Sequence, residues 1–153
     1  MKKILSMVMV IGMLAMAGSA MASGTNTLTV SASVTGTCKF VSGTSTLNFG
    51  ALDPSSSSDV NGSGTTTFWC TKGTTQTLSA GNGANWDGSK RNMLDTVSSD
   101  KIPYTLALTP DGGTNQGPGS PRTVTIGGTI LNADYVSKSA GSYSDTVTLN
   151  ITP

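Results

Sequence analysis

The chain has 153 residues with a formal net charge of +1; only 11% are charged and 5% aromatic, and histidine and glutamate are absent. So even a charge balance excludes an electrostatic nucleic-acid binder, and the missing imidazole excludes enzymes that use it as base or metal ligand. Ala, Leu, Glu and Lys do not dominate, which argues against a helical bundle and for a Thr-rich, Gly-punctuated β protein.

The chain opens on Met1-Lys2-Lys3, an apolar run over residues 4–17 and the small-x-small triplet Ala20-Met21-Ala22. This is the pattern of a secretory signal peptide cleaved after Ala22, and the run falls short of the roughly 20 residues that cross a bilayer. The expectation is an exported mature chain from Ser23 that is not membrane-embedded. Losing Lys2 and Lys3 leaves seven basic side chains against eight acidic ones. Ser and Thr then make up about a third of the residues.

Residues 27–35 alternate, with Leu28, Val30, Ala32 and Val34 on one side and Thr29, Ser31 and Ser33 on the other, the period of a half-buried strand. Thr35-Gly36-Thr37 reads as a hinge before the rest of the chain. A short strand is expected at Leu47-Asn48-Phe49-Gly50, then a loop over 53–64 and a strand over 65–70. Gln76, Leu78 and Ala80 mark another strand, and residues 81–90 are turn chemistry.

Further on, Ile102, Tyr104, Leu106 and Leu108 alternate inward, and residues 110–121 form a Pro- and Gly-rich loop. Strands follow over 123–130, with Val124, Ile126 and Ile130 on one side, and over 146–152, with Val147, Leu149 and Ile151 on one face. Helical periodicity is lacking. Seven or eight short strands separated by turns predict an antiparallel β-sandwich. A last strand running to Pro153 raises the expectation of an unclosed sandwich with a groove and an open edge.

Cys38 and Cys70 are the only cysteines. In an oxidising exported compartment they are expected to form a structural disulfide, worth about 3–4 kcal/mol on the chain-entropy account. A redox pair would place its cysteines two apart. Catalysis finds little to work with, since Asp95 and Asp100 sit in a polar loop and the serines over 55–58 lack a neighbouring base. Asp111-Gly112-Gly113-Thr114-Asn115 has calcium-type oxygens without the EF-hand spacing and reads as a turn. No cofactor is expected. Trp86, in a Gly/Asn/Asp loop, is either a loop anchor or an aromatic platform for a sugar.

Taken in order, several pieces resemble the spore coat protein U domain, the fold of subunits in archaic chaperone–usher pili. They are Cys38-Lys39-Phe40, Leu47-Asn48-Phe49-Gly50, Cys70-Thr71-Lys72-Gly73, Arg91-Asn92-Met93, Ile102-Pro103-Tyr104-Thr105-Leu106 and Thr129-Ile130. The most diagnostic is Gly141-Ser142-Tyr143-Ser144-Asp145 leading into the final strand.

The resemblance implies an incomplete immunoglobulin-like sandwich with an N-terminal donor strand, assembled by strand exchange into a surface pilus for adhesion or biofilm formation. It implies a signal peptide at 1–22, a donor strand and hinge at 23–37 and a sandwich domain at 38–153. Leu28, Val30, Ala32 and Val34 would be the donor side chains, and Val147, Leu149 and Ile151 would line the acceptor groove. The implied partners are neighbouring subunits, a periplasmic chaperone and an outer-membrane usher. From the pattern alone, the first strand serves equally well as strand A of its own closed domain. A secreted carbohydrate-binding protein and a self-complemented spore-coat-type protein are the other readings.

Overall fold

A computed structural model describes residues 23–153, so the signal peptide expected at 1–22 lies outside the described residues. The chain divides after Ser33 into two units, the second being Val34–Pro153. In the first, residues 23–33 are exposed and form no strand ladder. Every strand among the described residues lies in the second.

Eight strands and one helical turn make up this unit: β1 (Cys38–Phe40), β2 (Val60–Cys70), β3 (Thr77–Ala80), β4 (Arg91–Asp95), β5 (Lys101–Pro110), β6 (Arg122–Ile130), α1 (Asn132–Tyr135), β7 (Tyr143–Ser144) and β8 (Leu149–Thr152). Six form one sheet in the order β1-β2-β6-β5-β4-β7, while β3 and β8 pair separately. Every pairing is antiparallel. The fold is an antiparallel β-sandwich with a single helical turn.

Alternation decides the faces of the large sheet. Val124, Ile126 and Ile130 of β6 are buried, and their neighbours in register on β5 and β2 include Leu108 and Val60. The opposite face is mostly hydroxyl, with Thr65, Thr125 and Thr109 side by side across three strands.

Two groups of side chains cover the inner face. At one end Leu78 of β3 and Ile151 of β8 pack with Phe40 and Leu108 against Phe68, Cys70 and Val124. At the other, Phe49, Leu52, Met93 and Tyr143 surround Ile102, Ile130 and Tyr135. Arg122 closes the first end: its guanidinium lies 5.3 Å from the centroid of the Phe68 ring, and Nε donates to Asp111 Oδ1 at 2.7 Å. Asp111 is thereby the partner of a buried cation, which accounts for the carboxylate in the calcium-like turn.

Several boundaries depart from the sequence reading. β2 begins at Val60, inside the stretch expected to be loop, because Gly62 and Gly64 sit under residues 46–49 where a side chain would collide. The strand expected at residues 47–50 is reduced to a single bridge between Asn48 and Ser63. β4 was not anticipated: its buried positions include Asn92 and Asp95, polar residues that hide the apolar alternation. The strand expected over 146–152 is shortened to β8, which pairs with β3 in the small sheet, and β7, which pairs with β4 in the large one, lies ahead of it.

Candidate functional site

Between the two covered ends, part of the inner face stays open. A groove of about 240 Å³ runs there, floored by Met93, Tyr104, Leu106 and Ile126. Residues 45–49 form one wall and residues 143–149 the other. It continues along Leu47, Phe49, Met93 and Tyr143 into a second cavity of about 610 Å³ that reaches Leu52, Ile102 and Tyr135.

Glycines set the first wall. Gly62 and Gly128 are directly opposed across β2 and β6, and their missing side chains make room for Leu47 and Phe49. A Cβ on Gly128 would lie 2.8 Å from Phe49 Cζ and 2.8 Å from the Thr105 carbonyl oxygen. The Phe49 ring then meets Tyr104 edge-on, with centroids 6.0 Å apart.

The second wall hangs on Asp145. Its Oδ2 accepts from the Tyr104 hydroxyl at 2.7 Å, and its Oδ1 from the Asn85 backbone N–H and side-chain amide, both at 3.1 Å. Ala84 N–H donates to the Thr146 carbonyl at 3.0 Å and Gly81 N–H to Thr148 at 2.8 Å. Burial, reinforced by the Asp145 carboxylate, pushes the Tyr104 phenol well above its ordinary range, so it remains a donor. Gly83 is required here: with φ +89 it presses against the Asp145 carboxylate, where a side chain would clash.

No backbone hydrogen bond joins residues 45–49 to residues 143–149 among the described residues. The groove is thus an apolar floor between two walls that no backbone hydrogen bond joins. That arrangement can do one thing well, which is to take an extended segment that pairs with a wall and drops alternate side chains onto the floor.

Of the residues that the sequence reading placed in a groove, Val147 and Leu149 line it, whereas Ile151 packs in the core with Phe68 and Val124. Leu149 and Ile151 share one face of β8, but Leu149 lies at its groove end, whereas Ile151 pairs with Leu78 over the closed end. Leu28, Val30 and Val34 expose 82%, 83% and 86% of their surface, and Ala32 is exposed too. Cys38 and Cys70 are directly opposed across β1 and β2 and form a disulfide.

Leu47, Phe49, Met93 and Ile126 were not foreseen as groove residues. Phe49 and Ile126 carried an apolar signal, but sequence spacing does not say that a bare patch of sheet lies between distant segments. The expected hinge is also partly fixed. Thr71 Oγ accepts from Thr37 N–H at 3.0 Å, and Thr37 carbonyl accepts from Thr71 N–H at 2.8 Å.

The carboxylates raised as catalytic candidates are occupied. Asp95 accepts from the Ser98 hydroxyl at 2.6 Å and Asp100 from Ser139 N–H at 2.9 Å; hydrogen bonds from these two serines, in turn, hold both carboxyls below the ordinary range. No helix among the described residues is long and apolar enough to cross a membrane.

A search of curated proteins finds no match to this sequence. Among solved structures, similarity is found to a chain in the crystal structure of the CsuC–CsuE chaperone–tip adhesion subunit pre-assembly complex from archaic chaperone–usher Csu pili of Acinetobacter baumannii. The identity is 17% and the TM-score 0.43. The match covers 77% of this chain and 40% of that one, so this chain aligns to less than half the solved chain's length. The model of the Spore Coat Protein U domain matches residues 24–150, and the chain belongs to that family.

Proposed function

We propose that the protein is a structural subunit of a bacterial surface pilus, assembled by donor-strand exchange along the chaperone–usher route. The observation that carries this reading is the groove, apolar below and with no backbone hydrogen bond between its two walls. In the proposed fibre, Leu28, Val30, Ala32 and Val34 of one copy enter the groove of the next, against Val147, Leu149 and the floor. Residues 1–22 direct export and are removed, residues 23–37 form the arm and its root, and residues 38–153 form the body. A periplasmic chaperone fills the groove before assembly, an outer-membrane usher exchanges it, and the fibre serves adhesion or biofilm formation at the cell surface. The role is mechanical and needs no catalytic step.

The magnitudes are adequate. Burying Leu28, Val30 and Val34 contributes roughly 1.5–3 kcal/mol each, and each new backbone hydrogen bond about 0.5–1.5 kcal/mol. Against this stands the ordering of an arm that carries no ladder of its own, at about 1–2 kcal/mol per residue. The balance favours a long, well-registered insertion over a short one.

The test is an unheated detergent gel of the exported protein with its native N-terminus. Strand exchange gives a ladder that collapses on boiling, and Leu28→Asp with Val30→Asp abolishes it while sparing the fold. A single monomer band for the unaltered protein rejects the proposal and leaves self-complementation or a monomeric binding protein.

A further inference from the structure

An asparagine or aspartate followed by glycine is prone to spontaneous backbone rearrangement, because glycine hinders attack by its own peptide nitrogen least. The chain has four such pairs: Asn61-Gly62, Asn82-Gly83, Asp87-Gly88 and Asp111-Gly112. The fold protects three of them. Asn61 Oδ1 accepts from the Thr129 hydroxyl at 2.7 Å, and Gly62 is buried in β2 opposite Gly128. Ring closure there needs the strand to open first. Asp87 Oδ1 accepts from Ser89 N–H at 2.8 Å and Lys90 N–H at 2.7 Å, and its Oδ2 from the Asn92 amide at 3.0 Å. Asp111 Oδ1 accepts from Arg122 Nε at 2.7 Å and its Oδ2 from Thr123 N–H at 2.8 Å. A carboxylate held at both oxygens by such bonds stays ionised, and its carbon is a poor target for attack.

Asn82 differs from all three. It is exposed, and among the described residues neither its side-chain amide nor the Gly83 N–H has a hydrogen-bond partner. Gly83, at φ +89, presses against Asp145, whose oxygens are already taken by Tyr104 and Asn85. On either side of the pair the backbone is tied to the second wall of the groove: Gly81 N–H donates to the Thr148 carbonyl at 2.8 Å and Ala84 N–H to the Thr146 carbonyl at 3.0 Å. The one reactive pair that the fold leaves open therefore lies between two bonds that hold that wall.

We propose that Asn82 is a site of spontaneous deamidation and isomerisation, and that the isomerised product loosens the second wall. The Gly83 nitrogen, its proton passed to solvent base, attacks Asn82 Cγ. A C–N bond forms there, the bond to the side-chain nitrogen breaks, and ammonia leaves with a proton from water. The cyclic imide then takes up one water, which opens either carbonyl and gives aspartate or isoaspartate; nothing is oxidised or reduced. Aspartate leaves the course of the backbone unchanged. Isoaspartate routes the main chain through the former side chain and lengthens it by one carbon between Gly81 and Ala84. Their two bonds to the wall then lose their common register, and Gly83 has no room to shift toward Asp145. The inference does not depend on strand exchange, because the reaction needs only this chain and water.

The experiment is peptide mapping by mass spectrometry of the exported protein held in mildly alkaline buffer, beside the same protein unfolded in urea. In the folded protein Asn82 converts at least tenfold faster than Asn61, whereas in urea the two convert at similar rates. The fraction carrying isoaspartate at position 82 shows faster amide exchange over residues 81–84 and a lower urea midpoint. Asn82→Gln, whose longer side chain closes an imide far more slowly, stays unconverted with an unchanged melting transition. Freshly prepared Asn82→Asp keeps the midpoint of the unaltered protein, because its backbone runs the normal course. An Asn82 that outlasts Asn61 in the folded protein overturns the site, and isoaspartate at position 82 with unaltered exchange and midpoint overturns the loosening of the wall. Conversion at Asn82 in a protein that forms no polymer ladder supports the inference and rejects the strand-exchange reading alone.

Discussion

Gly62 and Gly128 oppose one another across β2 and β6, and together they form the flat seat on which Leu47 and Phe49 rest. One wall of the groove is thus set by two absent side chains. At Gly128 the nearest atoms include a backbone oxygen of the neighbouring strand, which cannot swing aside as a side chain does. Gly128→Ala is expected to destabilise the domain by about 1–3 kcal/mol, the usual cost of overfilling a packed site. It should also displace Phe49 and reduce uptake of a synthetic arm peptide. A denaturant midpoint measures the first effect and fluorescence anisotropy of a labelled peptide the second.

Tyr104 and Asp145 do for the second wall what the glycines do for the first. Tyr104→Phe deletes the hydroxyl but keeps the ring against Phe49, so it isolates the hydrogen bond to the carboxylate. The expected loss is about 1–3 kcal/mol, the range for a hydrogen bond to a charged group or for an acceptor left unsatisfied. Asp145→Ala should cost more, since it also strips partners from the Asn85 amide and the Asn85 backbone. Both variants should release the arm peptide faster than the unaltered protein. A thermal melt with both variants unchanged would show that Asp145 merely decorates the wall.

These two networks also mark how far the sequence could be read. Alternation at Ile102, Tyr104, Leu106 and Leu108 is legible because each inward residue is apolar and the strand is long. The disulfide is legible because export and a lone cysteine pair leave little else to expect. Position 62 is not legible, because a glycine in a strand and a glycine in a loop look alike until the covering segment is known. The same holds for Ile151, which shares a face of β8 with Leu149 but lies two residues further along, beside Leu78 over the closed end. Periodicity assigns a face; what covers each position on that face is decided by contacts far off in the chain.

Acid should weaken the fold, and the sign follows from the carboxylates. Asp87 is held down from 3.8 to about 2, chiefly by the Lys90 backbone N–H, then by the Asn92 amide and the Ser89 N–H. Asp111 is lowered by the Thr123 N–H and then by Arg122, and Asp95 by the Ser98 hydroxyl. Each binds its proton more tightly when unfolded, so its contribution is fully present above 3.8 and is lost for Asp87 as pH falls through about 2. Urea midpoints should therefore fall between pH 5 and pH 2, and Asp87→Asn should shrink that fall. Because Asp87 also orders the loop carrying Trp86, the same variant should loosen that loop at neutral pH, read as faster amide exchange over residues 85–90.

Thr71 ties down the root of the arm. Its hydroxyl accepts from Thr37 N–H at 3.0 Å and lies 3.3 Å from the Thr35 carbonyl, while a Cβ on Gly36 would approach Thr74 Oγ to 3.2 Å. Cys38, one residue further on, is pinned to Cys70. In a fibre joined by strand exchange, the freedom between successive bodies then lies near Val34 and not across the whole of residues 35–37. Thr71→Ala should leave the detergent-resistant ladder intact, since it touches neither the arm's apolar side chains nor the groove. It should lower domain stability by about 1 kcal/mol, one hydrogen bond's worth. It should also shorten the bending persistence of fibres seen by electron microscopy, and Thr71→Ser, which keeps the hydroxyl, should restore it. Fibres of equal stiffness in all three proteins would place the joint elsewhere, because the clamp is the structural feature that distinguishes a stiff linkage from a loose one at this position.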